Sequence, residues 1–217
     1  MKRAVDLCTS AVALVVLAPV MAVIAVVVRL SMGSPVFFVH QRAGRDAVPF
    51  GLLKFRTMRH AGSDELNPLH DMDRITRIGR VLRRTSLDEL PSLINVLRGD
   101  MSLVGPRPLP ITYVARYTPA QARRLAVRPG LTGWAVVHGR NHLGWDERFD
   151  LDCWYVDHRS PLLDLRIMLR TVGVVFGGVG VNRDEQTTMD EFQPAPSSGA
   201  DADQSRESVD HRTDTHG

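Results

Sequence analysis

Two adjacent carboxylates, Asp88 and Glu89, are the residues whose types and setting point most directly to chemistry. They lie in the stretch RTSLDELPSLINVLRGDMSLVGPRP, which begins with an arginine and ends in a Gly-Pro-Arg-Pro turn. A helix that begins at Asp88 places Pro91 in its first turn, where no backbone N–H is needed. Gly99 then follows the last turn as a terminator. Both carboxylates therefore lie at a predicted helix N-terminus, where free N–H groups attract anions.

This setting favours phosphate chemistry. Carboxylates at a helix N-terminus are expected to stay ionised at neutral pH, as a nucleophile or a metal ligand must. Two acids without a neighbouring His or Cys suit Mg²⁺, a hard ion that takes oxygen ligands. Arg107 is the predicted phosphate clamp, because its fork of donors lies on a rigid turn between two prolines.

A purely structural interpretation of the same residues remains open. Ser86, Leu87, Asp88 and Glu89 match the capping box, in which Ser86 is the N-cap and Glu89 reaches back to it. Pro91 weakens this alternative, since it would then occupy the fifth helical position, where proline is costly.

A basic stretch, RITRIGRVLRR, precedes the two carboxylates and has apolar residues at helical spacing. Its arginines fit a solvated helix face, a nucleic-acid contact or, more strongly, a surface helix that faces anionic lipid headgroups. Arg84 at its end is either a phosphate ligand or part of this basic face.

A second helix is predicted in SPLLDLRIMLRTVGVVFGG, where Ser160 can cap and Pro161 suits the first helical position. Its apolar residues form one stripe. We expect the stripe to pack in the core, with membrane contact as the second interpretation. The stripe consists of Leu162, Leu165, Leu169, Val172 and Phe176.

An uninterrupted apolar run extends from Ala11 to Val28. As a helix it would rise about 27 Å, close to the thickness of the hydrocarbon core of a bilayer. A signal peptide is the rival interpretation because Lys2 and Arg3 precede the run, but no convincing cleavage site follows it. Pro19, near the middle, predicts a kink.

Positive charges flank both ends of the run, and the positive-inside rule places both ends in the cytoplasm. A helix-break-helix hairpin that enters and leaves the membrane by one face satisfies this rule. A single spanning helix, which tolerates proline, is the alternative.

The charge is unevenly distributed. Residues 183–217 carry 9 acidic and 3 basic residues, or −6, which leaves +9 on the remainder of the chain. The tail has too few apolar residues to offset its ordering entropy, so it is predicted to be disordered. Cys8 and Cys153 suggest neither a disulfide framework nor a cysteine metal site.

Several motifs in order resemble the monotopic phosphoglycosyl transferases, the bacterial sugar transferase family that starts polyprenyl-linked glycan assembly. The resemblance extends from Lys2 to about Val181. It is carried by KRAVDL, GSPVFFVHQRAGRDAVPF, LKFRTM, LRRTSLDELPSLINVLRGDMSLVGPRP, VRPGLTGWAVVHGRN and LDCWYVDHRSPLLDLRIML. Where the family commonly has a serine before the membrane proline, this chain has Ala18.

The resemblance implies a helix-rich α+β fold, and together with the composition of the tail it divides the chain into three parts. Residues 1–30 would be a re-entrant membrane helix, broken at Pro19. Residues 31–182 would be a small catalytic domain with amphipathic surface helices, on the cytoplasmic face of the inner membrane. Residues 183–217 would be the disordered acidic tail.

The resemblance also implies the reaction. A sugar-1-phosphate passes from a UDP-sugar to a polyprenyl phosphate such as undecaprenyl phosphate, with Mg²⁺ as cofactor and UMP as the leaving product. Asp88 would be the nucleophile that forms a covalent phosphosugar-enzyme, and Glu89 would activate the lipid phosphate or help to place the metal.

Other residues of the family motifs are expected in the same site. Lys54, Arg56 and Arg84 would join Arg107 in binding phosphate. Gln41, Arg42 and Gly44 belong to a further motif, for which packing is at least as good an interpretation. The main rival function is a non-enzymatic membrane scaffold whose acidic pair only caps a helix; nucleic acid is not an expected partner.

Overall fold

The computed structural model describes residues 1–59, 74–139, 143–177 and 192. Seven α-helices and four short strands in these ranges give a helix-rich α+β fold, as predicted. The helices are α1 (Lys2–Met32), α2 (Arg77–Arg84), α3 (Leu93–Arg98), α4 (Pro119–Ala122), α5 (Trp134–His138), α6 (Trp145–His158) and α7 (Pro161–Gly177). The strands are β1 (Phe37–Ala43), β2 (Pro49–Phe55), β3 (Ser102–Val104) and β4 (Gly130–Thr132).

The strands form two separate pairs. β1 and β2 are an antiparallel hairpin in which Arg42 is opposite Phe50. β3 and β4 are parallel, with Ser102 opposite Gly130. Short 3-10 helices complete the described elements, at Arg45–Ala47, Leu87–Ser92, Ile111–Arg116 and Arg123–Ala126.

The apolar N-terminal run forms one continuous helix, α1, with Pro19 inside it. The predicted interruption into two helices at Pro19 is therefore not observed. A proline removes only one backbone hydrogen bond, and the helical bonds on either side can carry the helix past it. α1 is the helix of the described residues that is long and apolar enough to cross a membrane, by length and composition.

The N-terminal end of α1 is fixed to the rest of the protein by polar contacts. At its start, Lys2 forms an ion pair with Asp164 at 2.6 Å, and Arg3 donates to the carbonyl oxygen of Val96 at 2.6 Å. Asp6 is buried and accepts from the hydroxyl of Ser102 at 2.9 Å. These contacts explain why charged residues occur in the first turns of this apolar helix.

One face of α1 contacts the protein and the opposite face is exposed. Ala13, Leu14 and Leu17 pack against the main core, and Ile24 and Val28 belong to a second buried cluster. The exposed face consists largely of valines. They are Val12, Val15, Val16, Val20, Val23 and Val26.

Helix α7 begins as predicted, with Pro161 first and the Ser160 hydroxyl accepting from the N–H of Leu163. The prediction that its leucine stripe packs in the core is wrong. Ile167 is fully buried in the core instead. The described members of the stripe are exposed by 48–76%, namely Leu162, Leu165, Leu169 and Val172.

The predicted disordered tail lies outside the described residues except for Phe192. That side chain is 3% exposed and packs in an aromatic cluster with Leu109 and Phe149. Arg116 donates to the Phe192 carbonyl oxygen at 2.6 Å. One position of the tail, Phe192, therefore contributes to a packed cluster.

Candidate active site

The two carboxylates lie on the 3-10 helix Leu87–Ser92, which continues directly into α3. Gly99 ends α3 with φ +100°, a left-handed conformation that favours glycine, so the predicted terminator is confirmed. The capping box does not form. Ser86 has a left-handed backbone and makes no side-chain capping bond.

The Glu89 carboxylate binds two cationic side chains instead of capping the helix. Its Oε1 atom accepts from Lys54 Nζ at 2.6 Å and from Arg107 Nη2 at 2.7 Å. Burial alone would raise the pKa of Glu89, but Arg107 and Lys54 outweigh it and lower the pKa to about 2. Glu89 is therefore ionised throughout the physiological range and is a weak base.

The Asp88 carboxyl group is in a different environment. It is 7% exposed, and this burial raises its pKa to about 6, with the negative charge of Glu89 adding to the effect. Lys54, Arg107 and Arg83 act in the opposite direction and keep the charged form accessible. Because this pKa lies below 7, the ionised form of Asp88 predominates at neutral pH.

Side chains of α3 and the preceding turn fix the distance between Glu89 and Lys54, which is a residue of β2. Ser92 donates to the carbonyl oxygen of Leu53 at 2.7 Å. Asn95, 1% exposed, accepts from the N–H of Leu53 and donates to the carbonyl oxygen of Gly51. These side-chain hydrogen bonds from Ser92 and Asn95 to the backbone of β2 hold the strand against the 3-10 helix that carries Asp88 and Glu89.

The turn that carries Arg107 is supported from behind by a buried arginine. Arg124 donates to the Arg107 carbonyl oxygen at 2.8 Å and to Asp152 at 2.6 Å. It also donates to the hydroxyl of Tyr117 at 3.1 Å. Arg107 therefore approaches Glu89 from a backbone that has its own fixed support.

The structure brings Asp88, Glu89, Lys54 and Arg107 together, whereas Arg56, another predicted phosphate ligand, binds backbone carbonyl groups. Arg56 is 5% exposed, and its guanidinium donates to the carbonyl oxygens of Met32, Gly33 and Ser34. It thus satisfies carbonyl groups at the C-terminal end of α1, which a helix leaves without partners.

Arg84 is exposed on α2, and it is the preceding arginine that acts on Asp88. Arg83 donates from Nε to the hydroxyl of Thr57 at 2.9 Å, and its charge lowers the pKa of Asp88. Arg83 is not among the site residues predicted from the sequence. Successive residues on a helix point about 100° apart, so the choice between neighbouring arginines depends on how α2 is rotated about its axis.

The carboxylates fit Mg²⁺ only as part of a shared site. The described residues contain no group of three or more His, Cys, Asp or Glu side chains that could hold a metal. Mg²⁺ usually binds through one or two carboxylates together with substrate phosphates and water. Asp88 and Glu89 match this type of donor set, whereas a site made entirely of protein ligands would need more groups.

Comparison with known proteins identifies the family. A sequence model described as bacterial sugar transferase matches residues 1–178. The chain belongs to the bacterial sugar transferase family. This sugar transferase is 50% identical over 166 residues to the uncharacterized sugar transferase EpsL of Bacillus subtilis, covering 76% of this chain and 82% of that protein.

Two further relatives have names that state a reaction. The UDP-glucose:undecaprenyl-phosphate glucose-1-phosphate transferase of Caulobacter vibrioides is 42% identical, covering 79% of this sugar transferase and 68% of the relative. The undecaprenyl-phosphate galactose phosphotransferase of Salmonella typhimurium is 38% identical, covering 81% and 40% respectively.

Proposed function

We propose that this chain is a phosphoglycosyl transferase that moves a sugar-1-phosphate from a UDP-sugar to a polyprenyl phosphate such as undecaprenyl phosphate. The products are UMP and a lipid-linked sugar diphosphate. The names of the Caulobacter and Salmonella relatives support the substrate classes. The observation that carries the proposal is that Glu89 binds Lys54 and Arg107 while Asp88 lies buried beside them.

Asp88 is the proposed nucleophile. A carboxylate oxygen of Asp88 attacks the phosphorus next to the sugar, and the bond from that phosphorus to the oxygen of UMP breaks. An oxygen of the polyprenyl phosphate then attacks the same phosphorus and displaces Asp88. Burial suits this role because a poorly hydrated carboxylate is more reactive, and a pKa of about 6 leaves it ionised at neutral pH.

Glu89 is proposed to hold Lys54 and Arg107 in position toward the phosphates of the donor. Its pKa of about 2 disfavours the alternative role of proton acceptor from the lipid phosphate. The two cations stabilise negative charge that develops as UMP leaves. Asp88 and Glu89, with the donor phosphates, would hold Mg²⁺, which when bound neutralises further phosphate charge.

Two exposed apolar surfaces support attachment to a membrane. The exposed valine face of α1 and the leucine stripe of α7 each contain several neighbouring apolar side chains. A surface that faces water normally has only single, scattered apolar residues. Arginines flank both, and they suit anionic lipid headgroups. We assign these surfaces to the cytoplasmic membrane, with the active site on the cytoplasmic side.

The ends of α1 favour a monotopic arrangement. Lys2 at one end binds Asp164, and Met32 at the other end accepts from Arg56. A straight helix across a bilayer would separate these ends by the membrane, yet both ends contact residues of the folded region that follows α1. Labelling of single cysteines with a membrane-impermeant reagent tests this topology, and labelling of positions after Arg29 from outside the cell would overturn it.

The reaction is tested by UMP release from purified protein in detergent with Mg²⁺, undecaprenyl phosphate and a panel of UDP-sugars. Asp88→Asn should abolish release, and Asp46→Asn, which changes an exposed acid on the hairpin turn, should not. With a UDP-sugar but no lipid, intact-mass measurement should detect the sugar phosphate on the wild-type protein only.

The outcomes separate the reaction from the assignment of its nucleophile. Lipid-dependent UMP release that survives in Asp88→Asn would keep the reaction and overturn the role of Asp88. Folded protein that releases UMP from no UDP-sugar would favour the membrane scaffold, in which the acidic pair has no chemical role.

A further inference from the structure

A small cavity of about 50 Å³ lies beside Glu89 and contains a third cationic side chain. Lys54 and Arg107 line it, as expected from their bonds to Glu89, and so does Arg42. Apolar residues, among them Met101 and Leu131, complete the wall. A cavity of this size suits a small polar group of a ligand rather than a whole nucleotide.

Arg42 lacks a strong partner in this cavity. Glu89 Oε1 is already shared by Lys54 and Arg107. Within the described ranges, Arg42 Nε is buried without a hydrogen-bond partner, and Nη1 reaches the carbonyl oxygen of Pro108 only at 3.5 Å. A partly buried guanidinium whose buried Nε–H has no acceptor is unfavourable unless an anion supplies one.

The electrostatic setting of Arg42 leads to the same conclusion. Burial, and after it the positive charge of Arg107, lower the pKa of Arg42 to about 10. The negative charge of Glu89 raises the pKa of Arg42 but offsets the lowering only in part. Two arginines that face one cavity repel each other, and a ligand with at least two negative charges would relieve the repulsion.

The backbone holds Arg42 at a fixed position relative to Arg107. Arg42 lies near the end of β1, opposite Phe50. The next N–H, that of Ala43, donates to the carbonyl oxygen of Leu109 at 3.0 Å. The hairpin and the Gly-Pro-Arg-Pro turn are therefore joined directly, so both guanidinium groups are preorganised for one ligand.

We propose that Arg42 is a further donor-binding residue, whose guanidinium donates to a phosphate of the nucleoside diphosphate sugar beside Arg107. The inference rests on the proposed function, because it takes the UDP-sugar as the ligand. It assigns Arg42 to the donor and not to the lipid acceptor. The packing role that the sequence left open for Arg42 is the opposing interpretation.

The test compares Arg42→Gln and Arg42→Lys with wild type. The matched control is Arg45→Gln, which changes an exposed arginine on the same hairpin that pairs with Asp46. UDP affinity is measured by calorimetry with Mg²⁺ in detergent, and KM is measured separately for the UDP-sugar and for undecaprenyl phosphate. Thermal unfolding of each variant without ligand reports any structural loss.

We expect Arg42→Gln to weaken UDP binding and raise the donor KM by about tenfold to a hundredfold, the usual effect of losing a charged hydrogen bond. The lipid KM should not change. Arg42→Lys should show a smaller increase, since it keeps the charge but loses the fork of donors. Arg45→Gln should match wild type in all three measurements.

Unchanged donor KM and UDP affinity in a folded Arg42→Gln protein would overturn the inference and leave the proposed function intact. If Arg42→Gln does not fold, Arg42→Lys decides: an unchanged donor KM with normal unfolding also overturns it. Failure of wild type to bind UDP or to release UMP is a separate result, because it removes the proposed function itself.

Discussion

Arg124 and Asp152 form an ion pair at 2.6 Å in which each side chain is only 2% exposed. The same guanidinium donates to the Arg107 carbonyl oxygen, so a fully buried pair supports the backbone of the residue that binds Glu89. The pair does not line the cavity at the active site. It is a positioning device rather than part of the chemistry.

Replacing Asp152 with Asn should therefore lower both stability and activity. Breaking a buried pair from one side leaves an uncompensated charge, at a cost of about 3–5 kcal/mol in the free energy of unfolding. Denaturant unfolding in detergent measures this loss. The donor KM should also rise, since the Arg107 turn loses part of its support.

The control for this prediction lies on the same helix. Asp157 pairs with Arg123 at the surface, and Asp157→Asn should have little effect because exposed pairs are weak. The double variant Arg124→Met with Asp152→Leu should be more stable than Asp152→Asn alone, since it removes both buried charges. A double variant that is no more stable than the single one would contradict this account.

The pH dependence of the reaction should follow the ionisation of Asp88. Only the charged carboxylate is nucleophilic, and its pKa is raised to about 6 by burial. We expect kcat/KM for the donor to fall about tenfold per pH unit below pH 6 and to level off above it. Glu89 cannot cause this fall in kcat/KM below pH 6, because its pKa is about 2.

Glu89→Gln provides the check on this assignment. The negative charge of Glu89 raises the pKa of Asp88. Removing that charge should therefore lower the pH at which kcat/KM begins to fall to a value below 6. The residual activity will be lower, because Lys54 and Arg107 lose their shared acceptor. If kcat/KM of Glu89→Gln falls at the same pH as that of wild type, a group other than Asp88 controls the pH dependence.

Burial of the Asp88 charge should also cost stability at neutral and alkaline pH. The folded-state pKa lies above the unfolded value of 3.8, so the favourable contribution of this group is present at low pH and is lost as pH rises through about 6. Between pH 4 and pH 8 the stability of Asp88→Asn relative to wild type should improve by about 2 kcal/mol.

Unfolding curves of both proteins at several pH values measure this difference. Asp46→Asn is the control, because that carboxyl group is exposed and should show no comparable trend. A constant difference between Asp88→Asn and wild type across this pH range would mean that Asp88 does not titrate as the burial implies.

Local sequence signals predicted much of the site. Asp88 and Glu89 are adjacent, and Pro91 and Gly99 define where the helical segment containing them begins and ends, so no long-range information was needed. Arg107 was recognisable from its rigid turn. These features depend on residues within one short stretch of chain.

Features that depend on tertiary contacts were not predictable in this way. The interaction of Arg56 with the end of α1 joins segments more than twenty residues apart. The leucine stripe of α7 has the same helical spacing whether it faces a core or a lipid phase, and the structure leaves Leu162 and Leu169 exposed. Periodicity defines a face of a helix, but the neighbouring elements decide what covers it.

Phe192 is the clearest case of a contact that composition concealed. A single phenylalanine in a polar tail carries little signal, yet it packs at 5.0 Å between ring centroids on Phe149. We expect Phe192→Ala to lower the free energy of unfolding by about 3 kcal/mol, the typical cost of emptying a buried aromatic site. Thermal and denaturant unfolding in detergent measure the change.

Two truncations separate this contact from the rest of the tail. Removal of residues 183–217 should destabilise the protein as much as Phe192→Ala does, whereas removal of 193–217 should preserve stability. Activity should survive the longer deletion only if the tail is a solvated extension with no other role, so assays should be run well below the lowered unfolding temperature of the shortened protein. Equal stability of both truncated proteins would show that Phe192 adds nothing to the aromatic cluster, and Tyr113 and Trp145 would then hold it together without the tail.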